Sequence, residues 1–363
     1  MRWSWVLSQI ALVAVLALYA RKGAALARHS AAGRIGTGML LGMLGLALVW
    51  LTQLPFGLAR HWWDRRHDLT DEGYLSWALS GWAELGAAFL SICLALLIVM
   101  AIAGKLPSGW WLPGAAVFVA VGTGFQLWLP YLLTLGTDPV RDPTLRAAAR
   151  EQERRLGLGH VPVRVEDVGA DTKLVNAYAV GIGPSRRVVL WSSLVDRYPR
   201  REVEVVLAHE LAHHASEHLP KGLAWYALLA VPGTFVIARV TRRRGGMARA
   251  EAVPLGLLVV VVLQLAALPL QNAIGRRMEA ESDWKALQVT HDPGAMERLF
   301  SRFARDDLAD PSPPTWAYLL FENHPTLAQR VAMARAWAAR HAGASLAPAR
   351  AYAAAPPAAP RHT

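Results

Sequence analysis

Two histidines, His209 and His213, stand four residues apart in the run His209-Glu210-Leu211-Ala212-His213. On a helix that spacing leaves side chains about 40° apart around the axis, so both imidazoles share one face. Two such nitrogens can hold zinc, and Glu210 can reach a water held by the same metal. This is equipment for hydrolysing a peptide bond. The carboxylate takes the proton of an attacking water and returns it to the leaving amine. A peptidase zinc needs three protein ligands and an open position. The run Arg276-Arg277-Met278-Glu279-Ala280-Glu281-Ser282-Asp283 offers Glu279 or Glu281 as the third. Asp283 lies one helical turn after Glu279, on its face, and can accept a hydrogen bond from a ligand histidine. Arg276 or Arg277 could fix a carboxylate. His214 and His218 sit on the same helix as the motif; His214 is turned away from the His209/His213 face and reads as a neighbour. The competing reading is a packed core helix with satisfied histidines and an interfacial charge cluster after it.

The elements that must position these residues are mostly apolar. The 363-residue chain is 54% hydrophobic and 18% charged, and its mean hydropathy is +0.25. Those values exclude an ordinary soluble domain and point to a multi-span membrane protein. Runs of spanning length, roughly 17–25 residues, centre on 6–20, 35–58, 78–103, 110–134, 223–238 and 252–275. The fifth is weakened by Pro232 and Gly233. The first reads as a retained anchor, since no good cleavage site follows it. Cys93, the single cysteine, excludes an intrachain disulfide. The net charge of +11 is mostly arginine at span ends, as anchoring against anionic lipid requires. No aromatic-interleaved basic groove suggests nucleic acid.

Along the chain this predicts a mainly α, polytopic protein with about six transmembrane helices and a small α+β, zincin-like catalytic insert. Residues 1–136 form a four-span region and 137–220 the insert. Residues 221–275 form a two-span region, 276–342 the C-terminal catalytic helices and 343–363 a disordered tail rich in alanine and proline. Within the insert, 143–156 reads as an amphipathic helix and 161–166 as a strand. Residues 176–181 and 187–191 read as a hairpin, and Pro199 opens the motif helix. Two spans between 221 and 275 return Glu279 to the side of His209. The connection at 59–73, with Trp62, Trp63, Arg65 and Arg66, suits the interface. Asn176 and Ala177 fall on an edge strand, where an extended peptide could pair through its backbone and Asn176 could orient it.

With these motifs in order, the chain resembles the membrane-embedded Ste24-type CAAX prenyl protease family, zinc metallopeptidases of the HtpX-like clan. The run from Leu207 through His214 resembles its zinc helix. Arg276-Arg277-Met278-Glu279 with Asp283 resembles its third-ligand motif, which favours Glu279 over Glu281. Val175-Asn176-Ala177-Tyr178, Gly181 and Arg187-Val188-Val189-Leu190 resemble its hairpin. His324-Pro325 with Arg330 resembles its late motif. Arg65-Arg66-His67-Asp68-Leu69-Thr70 and Trp110-Trp111-Leu112 extend the likeness, which covers about residues 35–340. It implies one Zn²⁺ per chain on His209, His213 and Glu279. It also implies Glu210 as general base and places His324 and Arg330 near the developing oxyanion. Two departures stand out. Eukaryotic members have seven spans around a chamber, against six here. The family's Gly-Phe-Asn after the second span reads Asp68-Leu69, so chamber shape and substrate choice do not carry over.

The composition, rich in alanine, arginine and leucine, is bacterial in type, so prenylated CAAX proteins are not the expected substrates. The expectation is a monomeric zinc metalloendopeptidase of the bacterial inner membrane that cuts membrane-associated or misfolded proteins and peptides. Sidedness has two opposed signals. Arg21, Lys22, Arg28, Arg34 and Arg242, Arg243, Arg244, Arg249 would put the zinc site outside by the positive-inside rule. The resemblance implies a cytoplasm-facing site, and Arg141 and Arg146 near span four blunt the rule. The alternative class is a non-catalytic zinc-binding scaffold or a transporter, motivated by Glu84 and Gln126 within spans.

Overall fold

A computed structural model of the chain describes residues 2–133, 136–169 and 171–342. The expected disordered tail, 343–363, lies outside the described residues, as does the side chain of Glu84. Four helices come first: α1 (Arg2–Arg28), α2 (Gly33–Arg66), α3 (Tyr74–Lys105) and α4 (Trp111–Leu133). The insert carries β1 (Thr137–Pro139), α5 (Pro143–Arg155), β2 (Val163–Glu166), β3 (Ala177–Val180), β4 (Arg187–Trp191), α6 (Ser192–Arg197) and α7 (Arg200–Ala215). Then follow α8 (His218–Thr241), α9 (Val253–Thr290), α10 (Pro293–Asp306), α11 (Thr315–Phe321) and α12 (Leu327–His341). The chain divides into two compact units, Met1–Gly124 with Gly222–Ala267 and Phe125–Lys221 with Leu268–Thr363. These divisions fall earlier than the sequence boundaries at 136 and 275, inside α4 and α9.

Among the described residues six helices are long and apolar enough to cross a membrane, as the hydropathy predicts. Glycines at 38, 42 and 45 put a smooth face on α2. A Cβ at these positions would meet the side-chain ends of Met100, Leu96 and Leu257 respectively, which would have to move aside; small residues thus let these side chains approach the α2 backbone. Two expectations need correction. α8 runs without interruption through Pro232. In an apolar helix one missing N–H is tolerated because the remaining ladder continues on either side. Two residues on, Thr234 Oγ1 lies within 3.0 Å of the carbonyls of Trp111, Ala230 and Val231. The connection at 59–73 is shorter than expected, because α2 continues to Arg66. Its His61 is buried, stacked on Trp77 at 5.2 Å and edge-on to Tyr74 at 5.1 Å.

The second unit is built on a four-stranded sheet in the order β1-β2-β4-β3. β1 and β2 are antiparallel, β2 and β4 parallel, and β3 and β4 form the expected antiparallel hairpin, with Ala177 opposite Leu190 and Val180 opposite Arg187. Gly181 makes the hairpin turn possible. Its φ is +86°, and a Cβ there would strike the Ser185 carbonyl. Val188, Val189 and Leu190 of central strand β4 are all buried, so a continuous apolar run replaces alternation. Against the sheet lies α7, whose Leu207, Ala208, Leu211 and Ala212 are fully buried. The short β1 was not foreseen, since three residues ending in proline carry no strand pattern.

Candidate active site

Two helices supply the cluster. α7 presents His209 and His213 one turn apart, and α9 presents Glu279 and, one turn later, Asp283. His209 Nε2 lies 3.1 Å from His213 Nε2 and 3.0 Å from Glu279 Oε2. His213 Nε2 is 3.5 Å from Glu279 Oε1. Among the described residues this trio forms a group able to hold a metal ion. Tetrahedral zinc with bonds of about 2.0–2.2 Å sets its donors roughly 3.3–3.6 Å apart. Two facing imidazole nitrogens and a carboxylate at nearly that separation fit such an ion in both geometry and donor type.

Behind the trio, His209 Nδ1 donates to Asp283 Oδ1 at 2.9 Å. Asp283 is wholly buried and is gripped by Arg330, Nε to Oδ2 at 2.8 Å and Nη2 to Oδ1 at 2.6 Å. The Arg330 guanidinium lies 3.9 Å from the centre of the Phe300 ring. Burial by itself depresses the basicity of His209. In the metal-free protein the hydrogen bonds to Asp283 and Glu279 outweigh it and push its pKa up to about 10. A metal bound there would compete with that proton, so its affinity is expected to fall as pH falls.

Glu210 follows His209 directly and lines a cleft beside it with Asn176, Ala177, His324 and Arg330. His324 is half-exposed, with Nε2 on Glu279 Oε2 at 3.0 Å and Nδ1 2.8 Å from Asn323 Oδ1. Asn176 immediately precedes edge strand β3. Its carbonyl accepts from Trp191 N at 3.0 Å, and its Oδ1 accepts from Ala177 N at 2.9 Å. Antiparallel alternation then turns the backbone groups of Ala177 and Ala179 to the free edge.

Several residues make contacts that the sequence did not imply. Arg330 lines the cleft beside Glu210 and, in addition, binds Asp283 bidentately, a partner the sequence did not assign it; a buried carboxylate needs a buried partner. Arg276 pairs with no carboxylate among the described residues. Its Nη1 donates to the carbonyls of Tyr318 at 3.1 Å and Glu322 at 2.6 Å, tying down the end of α11 ahead of His324. Glu281 stays outside the trio and pairs with Lys285. His214 is also outside it, with Nε2 donating to the Arg187 carbonyl at 3.0 Å. Burial pushes its pKa down to about 4. His218 does not continue the motif helix. α7 stops at Ala215, Glu217 takes φ +54°, and His218 opens α8. Helical spacing therefore could not place it. The only signal for Phe300 was its apolar character.

The profile of peptidase family M48 matches residues 139–338. A Bacillus subtilis protein named uncharacterized metalloprotease YhfN is 24% identical over 298 residues, covering 77% of this chain and 69% of that protein. A protease HtpX homolog of Acaryochloris marina is 31% identical over 180 residues, covering 43% of this chain and 60% of its own length. The crystal structure of S. mikatae Ste24p superposes with a TM-score of 0.73 at 18% identity, over 87% of this chain and 80% of that one. The architecture is thus Ste24-like.

Proposed function

The chain belongs to peptidase family M48, and from that premise we propose that it is a zinc-dependent endopeptidase of a bacterial inner membrane. The observation that carries this reading is the convergence of His209 Nε2, His213 Nε2 and a Glu279 carboxylate on one point, with Glu210 beside it. Zinc held there would polarise the scissile carbonyl and acidify the attacking water. The remaining chemistry belongs to the chain. Glu210 takes the water's proton on its carboxylate and delivers it to the leaving nitrogen. His324 Nε2, which lies 3.0 Å from Glu279 Oε2, could turn to donate to charge growing on the carbonyl oxygen once a metal holds Glu279. Asp283 and Arg330 hold His209 so that its Nε2 lone pair points at the metal position.

Substrate follows from the cleft walls. The edge at the Ala177 carbonyl and at Ala179 offers backbone pairing, with the Ala177 N–H held by Asn176 Oδ1, and such pairing reads an extended chain with little regard to sequence. Leu194, Val206, Phe300 and Phe303 form an apolar wall around a space of about 100 Å³, suited to one aliphatic side chain. We take the substrates to be hydrophobic peptides and membrane-associated or misfolded proteins, cut without dependence on a prenyl group. We place the site on the cytoplasmic side and take the protein to act as a monomer. The test is Glu210→Gln in purified protein. It is expected to keep zinc and to lose hydrolysis by about 10²–10⁴-fold. Equal cleavage by the two proteins would overturn the enzyme reading in favour of a zinc-binding scaffold.

A further inference from the structure

The two ligand histidines are held from behind by different means. His209 Nδ1 meets a carboxylate directly. His213 Nδ1 meets a second imidazole, with His218 Nδ1 at 3.0 Å. His218 is only 4% exposed, and its Nε2 lies 3.3 Å from Glu281 Oε2. Ser282 Oγ borders the same His218 Nδ1 at 3.3 Å. Glu281 pairs with Lys285 Nζ at 3.1 Å, and Lys285 donates onward to Ser216 Oγ at 2.7 Å.

One placement of protons satisfies this chain. A histidine that offers Nε2 to a metal carries its proton on Nδ1. His213 Nδ1–H therefore donates, and His218 Nδ1 accepts. The His218 proton then sits on Nε2 and donates to Glu281. Both rings are neutral, and every ring nitrogen has a partner. The rings meet edge to face, centroids 5.0 Å apart at 75°. The left-handed turn at Glu217 (φ +54°) makes the meeting possible, since it ends α7 and swings His218 back toward His213.

We propose that His218 is a positioning residue of the metal site. It fixes the tautomer and ring orientation of His213 and couples that ligand to the Glu281 carboxylate, a longer counterpart of the His209–Asp283 contact. This rests on the metallopeptidase reading. Outer partners of ligand histidines commonly set metal affinity by 10–100-fold, so affinity, and not only activity, should record the role.

The experiment measures zinc affinity and release rate of the purified full-length chain by competition with a chromogenic chelator. Four variants are compared. H218N keeps an acceptor oxygen near the position of Nδ1. H218Q carries its polar group farther out, near Nε2, and H218L fills the volume with no polar atom. E281Q changes only the half-exposed end of the chain and carries little risk to folding. Affinity is expected to fall about 10–100-fold in H218L and H218Q. H218N should stay near wild type, and E281Q should fall between. Wild-type affinity in H218L, or H218N as weak as H218L, would overturn the proposal, and wild-type affinity in E281Q would overturn the carboxylate coupling. A wild-type chain that binds no zinc would instead overturn the metallopeptidase reading itself.

Discussion

The catalytic unit and the membrane unit use opposite devices to fix their interiors. Around α7, orientation comes from buried charge: Asp283 between His209 and Arg330, and Glu202, 1% exposed, held by Arg302 at 3.0 Å. Around α2, it comes from close approach. Glycines at 38, 42 and 45 admit the side chains of neighbouring helices, while large apolar residues such as Leu75 and Leu90, each about three-quarters exposed, face outward. A polar lock fails when one partner is removed. A shape lock fails when a methyl group is added. The two units should therefore respond differently to the same kind of substitution.

The largest effect should come from breaking the polar lock. D283A leaves the Arg330 guanidinium buried and unpaired, and loss of one partner of a buried pair costs about 3–5 kcal/mol. It also releases His209 Nδ1. Zinc content should collapse and the catalytic unit should become protease-sensitive, while the spans of the first unit remain protected in detergent. A variant that keeps stoichiometric zinc and wild-type proteolysis would show that the lock is dispensable. Of the ligand variants, E279A and H213A should lose zinc severely, whereas E281A and H214A should still load it near stoichiometrically when zinc is in excess.

The next test uses pH. His214 is buried and neutral, with its pKa pushed down to about 4 from an unfolded value near 6.5. Between those values the unfolded chain binds the extra proton, so stability rises with pH across this window. The contribution is complete above about 6.5 and is lost as pH falls toward 4, about 3 kcal/mol in all. H214Q can still donate to the Arg187 carbonyl and does not titrate. Its unfolding midpoint, compared with wild type from pH 4 to 7, should therefore be flatter. Parallel curves would refute the assignment.

Breaking the shape lock should cost less. At Gly42 a Cβ meets Leu96, so G42A forces α2 and α3 apart or Leu96 off its rotamer, about 1–3 kcal/mol. G42A should lower the detergent-unfolding midpoint without changing zinc affinity. A concurrent loss of zinc would show that the two devices are not independent.

How much was legible in the sequence follows the same division. The spans were legible as long apolar runs, and the motif helix and the shared face of Glu279 and Asp283 through helical spacing. The hairpin was legible through the turn run Ile182-Gly183-Pro184-Ser185-Arg186 between two short strand-like segments. The role of Arg330 was not, because its partner Asp283 lies 47 positions earlier in the chain and no local pattern joins them. His218 was misplaced because one left-handed residue, Glu217, breaks the helix that spacing assumes to continue. α6 and α11, of six and seven residues, are too short to show a period. The extension of α2 past residue 58 escaped notice because charge was read as a connection, although a helix can carry arginines beyond the apolar run.

The smallest effect should separate the two units most cleanly. Leu90 is 76% exposed on α3 and Leu207 is fully buried on α7. Truncation of Leu207 to alanine removes packed contacts and leaves a cavity, which costs about 2–5 kcal/mol. Truncation of Leu90 exchanges contact with lipid or detergent tails for more of the same, because those tails are as apolar as leucine. L90A should therefore shift stability by no more than about 0.5 kcal/mol, with zinc affinity and peptide cleavage unchanged. The measurement is the unfolding midpoint of L90A and L207A in one detergent. A large loss in L90A would mean that this face packs against protein, another copy of the chain or a partner, and would sink its assignment to the lipid.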